Sequence, residues 1–542
     1  MTKSPPTARC FRAVLGLVAA LAVLPSVRAQ TMSPIPGDPV TTPNGKIAGK
    51  LLASGVKAYL GIPYATAPVR ELRWRETQPP KPWAGVYNAD RFAPECIQVL
   101  RRHNLNHYFG EEPTSEDCLY LNIWVPASTK PDARLPVLVY IYGGGFTIGS
   151  SGMALYGGEN VAREEAVFVN FNYRLGALGF MAHPELTKES PRNASGNYGL
   201  LDQVAALQWI KSNIASFGGD PDNVTISGQS AGSSSVAFLQ ASPLAKGLIQ
   251  RAVGFSGSPF GNADPLPTRA EAEKSGLAIQ ETLGTGSLGE LRDLPADKIV
   301  AVQRDCQLGC AGTIRVGPSV DGYFLPDAPT AIFAAGRHND IPLLVGFTRD
   351  ESSNDLSRAK SLAEYKAAAQ HLYGDRVETF LRLYPAATDA EAREMGHIAA
   401  REGMMEGRMR AWAKAQGTSS KSPIYMFMFS RVHPFSEGVK FYDDPASIGS
   451  YHTSDVPYWL GTQDALNLFR TTREWTTYDR ELSDRMLASL VAFAKSGDPS
   501  IAAGTWPKWS IKAERLVDFG DAVSIRPMDS ARLDFFYMAG SR

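Results

Sequence analysis

The chain has 542 residues, with 55 Lys plus Arg set against 55 Asp plus Glu, and 44 % of it is hydrophobic. A formal net charge of zero argues against a polyanion-binding protein, which would carry a strongly basic face. The apolar content excludes a disordered chain, and no internal repeat or low-complexity tract marks a fibrous one.

Taken in chain order, residues 1–29 hold Lys3, Arg9 and Arg12, then the apolar run "AVLGLVAALAVL", then "VRA" before Gln30. This is the pattern of a secretory signal peptide cleaved after Ala29. The run is too short to span a bilayer, and Cys10 lies ahead of it, where it cannot serve as a lipid-attachment cysteine. The mature chain is therefore expected to be secreted or periplasmic, with no membrane anchor. Cleavage removes basic residues and no acidic ones, which leaves a slightly acidic protein and argues against a nucleic-acid partner. From 30 to 542 no Pro/Ser-rich linker or charge block divides the chain, so a single catalytic domain is the simpler reading.

The mature chain carries Cys96, Cys118, Cys306 and Cys310, an even set suited to an oxidising compartment. Pairing between sequence neighbours, Cys96 with Cys118 and Cys306 with Cys310, is the first choice among the connectivities that four cysteines allow. A zinc site is the alternative, but C-x3-C without a nearby His pair matches metal spacing poorly, and no metal is expected. Between the first two cysteines lie Arg101, Arg102, His103 and His107, followed by Glu111 and Glu112. Such a stretch is either a solvated basic face balanced by its own acids or a lure for a ligand bearing free carboxylates.

Next come "PVLVYIY" (136–142) and "AVFVNFN" (166–172), continuous apolar runs of the kind found in strands covered on both faces. Between these strands, "GGG" at Gly143, Gly144 and Gly145 lets the backbone turn its amides into a cavity unobstructed by side chains. Leu200, Val204, Leu207, Ile210 and Ile214 recur at helical spacing, and Gly218 and Gly219 stop that helix. The short apolar "VTIS" (224–227) leads to Ser230, set between Gly228 and Gly232, and "AGSSSVAFLQ" can begin a helix. Strand, sharp turn and helix make the shape that exposes a nucleophilic serine, and the overall order is that of an α/β fold.

A serine hydroxyl needs a base to take its proton, and attack on a carbonyl needs donors for the oxyanion. The glycine triplet offers the donors. His452, in "GSYHTSDVPYWLG", offers the base, and "LLVGF" delivers Asp350 and Glu351 to a loop as candidate acids. Asp321 is the rival acid, although "DG" there reads as a turn. A further stretch, "AREGMMEGRMRAWAKAQG" (400–417), mixes Met and Trp with charge and is read either as ordinary packing or as part of a cap over the site.

Together, "GIPYATAPVRELRW", "EDCLYLNIWVP", "YGGGF", "NYRLGALGF", "FGGDPDNVTISGQSAG", "GFSGSP", "VDGYFLPD", "YHTSDVPYWLG" and "WPKW" run along nearly the whole mature chain. In these segments the sequence resembles the type-B carboxylesterases, the α/β-hydrolase group that includes the cholinesterases. The resemblance implies an α/β-hydrolase fold, a central mostly parallel sheet flanked by helices with cap insertions. It also implies a serine esterase acting on small-molecule esters through an acyl-enzyme, without a cofactor. Carried across, the family's triad falls on Ser230, His452 and Glu351, the last in preference to Asp350. Its oxyanion donors fall on the amides of Gly144, Gly145 and Ala231. Its early disulfide falls on Cys96 and Cys118, a buried ion pair on Arg73 and Glu116, and a serine supporting the triad on Ser256.

The chain departs from the common pattern at Gln229, where many relatives have glutamate, at "DES" in place of "DEG", and at Tyr142 in place of the histidine of "HGGGF". Its Cys96–Cys118 stretch also lacks the tryptophan that cholinesterases hold against the choline cation. Two other readings stay open at this level: a cholinesterase-like binding protein without activity, and an acyltransferase or amidase using the same triad.

Overall fold

The computed structural model describes residues 1–2, 33–99, 113–130, 132–261, 265–303, 314–441 and 443–537. The proposed signal peptide, apart from its first two residues, lies outside this set, as do Arg101, Arg102, His103, His107, Glu111, Glu112, Cys306 and Cys310.

One 11-stranded sheet organises the molecule. In chain order its strands are β1 (Lys50–Leu51), β2 (Lys57–Pro63), β3 (Tyr120–Val125), β4 (Leu135–Ile141), β5 (Val167–Phe171) and β6 (Gly219–Gln229), followed by β7 (Arg251–Phe255), β8 (Leu343–Thr348), β9 (Ile424–Phe429), β10 (Arg515–Phe519) and β11 (Val523–Pro527). Their spatial order is β11-β10-β9-β8-β7-β6-β4-β5-β3-β2-β1. From β5 through β4 and β6 to β10 every neighbouring pair is parallel, and only the flanks are antiparallel.

The central strands are buried along nearly their whole length, which explains why they read as unbroken apolar runs rather than alternating ones. Helices cover both faces. In α1 (Tyr198–Asn213) burial extends beyond one stripe, and the chain then turns at Gly218 in the left-handed region, φ 81°. Helix α2 (Ala231–Ala241) follows β6 after a single intervening residue, Ser230.

The Met/Trp stretch ends α3 (Asp389–Arg401), makes one π-helical turn (Glu402–Glu406) and begins α4 (Gly407–Ser419). Met409 and Trp412 are fully buried in the main core, so packing rather than a cap accounts for them. Among the described residues no helix is long and apolar enough to cross a membrane.

Because the parallel strands share one direction, their C-terminal ends meet along one edge of the sheet, where open α/β folds place their ligands. The loops after β4, β6, β8 and β9 carry the glycine triplet, Ser230, Glu351 and His452 respectively.

Candidate active site

Ser230 is the residue on which the chain turns from β6 into α2, with φ 58° and ψ −122°, a left-handed conformation that side chains rarely adopt. Its amide donates to Phe255 O at 2.8 Å, which fixes the turn against the end of β7. A Cβ on Gly228 would lie 2.5 Å from the Gly232 backbone, and one on Gly232 only 2.0 Å from Ile141 O. Only glycine lets helix and strand approach this closely on either side of the serine.

The glycine loop closes on the same point. A Cβ on Gly143 would come within 2.9 Å of the Ser230 Cβ, and Gly144 and Gly145 adopt φ 109° and 63°. Among the described residues the amides of Gly144, Gly145 and Ala231 make no hydrogen bond to the protein. Ala231 is the first residue of α2, where helix geometry leaves N–H groups without partners and the helix dipole favours negative charge. Tyr142 does not face this space. It stacks on Tyr173 with ring centroids 4.6 Å apart and is buried.

The histidine loop is tied to the acid loop at several points. Ser450 Oγ donates to Phe429 O at 2.8 Å, which holds the loop at the end of β9. Asp350 accepts from the Ser450 amide at 2.8 Å while pairing with Arg349, and its own amide donates to Ser450 O. Glu351, whose side chain is fully buried, bonds the His452 Nδ1 through Oε2 and accepts from the Thr348 amide through Oε1 at 2.8 Å. Asp321 is buried elsewhere and caps its own turn, accepting from the amides of Tyr323 and Leu325.

Burial of the His452 ring disfavours its charged form, but the hydrogen bond and negative charge of Glu351, with Asp455 behind them, outweigh this and raise it above its ordinary value. With Nδ1–H directed at a carboxylate, Nε2 is the basic nitrogen. Among the described residues it is not hydrogen-bonded to Ser230 Oγ. It meets the side-chain amide of Gln229, Nε2 to Nε2, at 3.1 Å.

Two features here lie beyond the sequence reading. One is that Gln229 contact. The other is Asp455, three residues after His452 and fully buried. Burial, and then the charge of Glu351, push its carboxyl up to about 7. An acid in the apolar "SDVPYW" setting was the available signal.

Arg73 grips Glu116 with two bonds of 2.7 and 2.6 Å and donates to the carbonyls of Arg292 and Leu294. Cys96 and Cys118 form a disulfide. Ser256, φ 52°, is buried at the end of β7, and its hydroxyl makes no hydrogen bond to the histidine or to Ser230. No cluster of three or more His, Cys, Asp or Glu able to hold a metal ion occurs among the described residues.

Residues 37–536 match the carboxylesterase family. The chain is 36 % identical to the fumonisin B1 esterase of Sphingopyxis macrogoltabida, over 89 % of this chain and 86 % of that one. It is 34 % identical to the para-nitrobenzyl esterase of Bacillus subtilis (strain 168), over 90 % and 95 %, and 30 % identical to the human cocaine esterase, over 98 % and 96 %. A solved PNB esterase superposes with a TM-score of 0.74 at 32 % identity, over 92 % of this chain and 98 % of the other. A thermophilic PNB esterase gives 0.74 at 33 %, over 91 % and 99 %. With a mostly parallel sheet, a serine on a strained strand-to-helix turn and these relatives along its length, the chain belongs to the carboxylesterase family and is a carboxylic ester hydrolase with the α/β-hydrolase fold.

Proposed function

We propose that the chain hydrolyses esters through Ser230, His452 and Glu351 by way of an acyl-enzyme. His452 Nε2 takes the Ser230 proton as Oγ attacks the carbonyl carbon, and Glu351 orients the ring and stabilises the imidazolium. The amides of Gly144, Gly145 and Ala231 receive the developing oxyanion. The imidazolium gives its proton to the departing alcohol, and water activated by the same nitrogen then releases the acid. The observation that carries this reading is the bond of the buried Glu351 to His452 Nδ1, in a loop beside the strained Ser230. Trapping tests it. Rapid acid quench during turnover of a p-nitrophenyl ester, followed by peptide mass analysis, is expected to find the acyl group on Ser230. Acyl label on another residue, or none, contradicts the reading.

The substrate class proposed is an ester bearing free carboxylates, drawn to Arg101 and Arg102. Support comes from the basic stretch in the sequence. Arg101→Ala with Arg102→Ala is expected to raise KM for acidic esters far more than for neutral ones, and an equal effect on both removes the idea. Export to an oxidising compartment belongs to the same proposal, supported by the N-terminal pattern and the Cys96–Cys118 disulfide.

A further inference from the structure

The contact between Gln229 and His452 raises a chemical question, because the nitrogen it occupies is the one the triad needs. In the neutral ring Nδ1 carries the proton toward Glu351, so Nε2 holds a lone pair and can only accept. The Gln229 carboxamide supplies an N–H to it at 3.1 Å. Gln229 is the last residue of β6, 1 % exposed, and its backbone is held in the ladder opposite Phe255. The side chain is therefore short of room but placed by a rigid strand. Among the described residues nothing donates a hydrogen bond to its Oε1.

Protonation reverses the requirement. An imidazolium has N–H at both nitrogens and needs an acceptor at Nε2, where an amide N–H would face it donor to donor. A half-turn of the terminal amide, a broad two-fold torsion, puts Oε1 where Nε2 was. No protein bond to Oε1 has to break for this. A carboxylate at the position could serve only the charged ring, and an apolar side chain could serve neither form.

We propose that Gln229 is a positioning residue for His452, its carboxamide donating to Nε2 of the neutral ring and turning over to accept from Nε2–H of the imidazolium. This rests on the triad reading above. Between turnovers Gln229 holds the ring's lone pair in place of the serine hydroxyl. As the Ser230 O–H bond breaks and Nε2–H forms, the oxygen's electron pair goes to the carbonyl carbon and the ring's new N–H finds Oε1. That proton then passes to the alcohol oxygen as the ester C–O bond breaks. Gln229 itself gains and loses no proton. The charged groups facing the ring are Glu351, on the loop after β8, and Asp455, three residues further along the histidine loop itself, and neither reaches Nε2 by a hydrogen bond.

The test compares Gln229→Met and Gln229→Glu with the wild-type full chain, on p-nitrophenyl butyrate and ethyl butyrate across pH. Ethanol leaves only with a proton, whereas p-nitrophenolate leaves without one. Loss of the acceptor in Gln229→Met should thus lower kcat/KM, which reports acylation, about tenfold more on the ethyl ester than on the p-nitrophenyl ester. In Gln229→Glu a carboxylate at Nε2 should move the acid limb of kcat/KM up by about one pH unit. Wild-type kcat/KM on both esters, or an equal loss on both with an unmoved limb in Gln229→Glu, overturns the proposal. If circular dichroism shows Gln229→Met unfolded, the limb of the nearly isosteric Gln229→Glu decides. Activity surviving in Ser230→Ala would sink the triad reading as well, while activity lost there but unchanged in both Gln229 variants sinks this proposal alone.

Discussion

Asp350 accepts a hydrogen bond from the backbone N–H of Ser450, 2.8 Å away and two residues before the histidine, while its neighbour Glu351 reaches the imidazole itself. Adjacent carboxylates thus do different work, one fastening the two loops together and one bonding the ring. Glu351→Gln is expected to lower kcat on the order of 10⁴-fold, the scale seen when the acid of such a triad becomes an amide. Asp350→Asn keeps an acceptor for the Ser450 amide and should lose no more than about tenfold, within the range of a misplaced but intact site. Steady-state kinetics on one p-nitrophenyl ester separates the two, and a larger loss in Asp350→Asn would reverse the assignment.

The pH dependence follows from the same bond. His452 lies above its ordinary value of 6.5 because Glu351 and Asp455 outweigh the burial of the ring. Since only the neutral ring accepts a proton, kcat/KM should fall as pH drops through a value above 6.5. Glu351→Gln removes the charge that holds the imidazolium, so its residual activity should show an acid limb at lower pH. A limb unmoved in that variant would assign it to another group.

Asp455 predicts a stability effect of opposite sense. Its folded-state value of about 7 exceeds its ordinary 3.8, so the protonated carboxyl favours folding. That contribution is complete below about pH 4 and is lost as pH rises through 7. Unfolding free energies from urea titrations at pH 5 and 8.5 should differ less in Asp455→Asn than in the wild type, by at least about 1 kcal/mol, the worth of one pKa unit. Glu402, also raised to about 7 by burial, keeps its share of the slope in both proteins. Identical slopes would mean that Asp455 is charged or solvated in the fold.

The glycine loop gives a steric prediction. A Cβ at position 143 would meet Gln229 O at 2.5 Å and the Ser230 Cβ at 2.9 Å, so Gly143→Ala should push the loop off the serine. Misaligned oxyanion donors should lower kcat by about 10²–10³. Affinity for a trifluoromethyl ketone, which forms the tetrahedral adduct, should fall in parallel. An unchanged affinity would place the oxyanion elsewhere.

The disulfide spans 22 residues of sequence, and loop-closure entropy assigns such a bridge roughly 3 kcal/mol. Cys96→Ala with Cys118→Ala should lower the unfolding free energy by about that amount in a denaturant titration. A difference near zero would mean that the unfolded chain gains no freedom when the bridge is removed.

What the sequence revealed and what it hid follow from the kind of constraint each residue obeys. Gly228 and Gly232 are legible because the close approach of β6 and α2 tolerates no other residue, and the buried strands are legible because two covered faces demand continuous apolar runs. "VTIS" proved to be the buried middle of a longer strand whose polar start, Gly219 to Asn223, carries no apolar signal. Contacts between distant side chains were out of reach. Nothing local says that Gln229 meets a histidine more than two hundred positions away, or that Asp350 serves Ser450. For the Met/Trp segment the sequence left packing and a cap both open, and Met409 and Trp412, buried in the main core, fit packing.

Pre-steady-state hydrolysis of p-nitrophenyl acetate by the wild type and by folded Ser230→Ala decides whether Ser230 carries the acyl group. The wild type is expected to release a burst of p-nitrophenol equal to the enzyme concentration. In the variant the burst should vanish and kcat fall on the order of 10⁶-fold. A Ser230→Ala enzyme that still bursts and turns over would rule out Ser230 as the nucleophile.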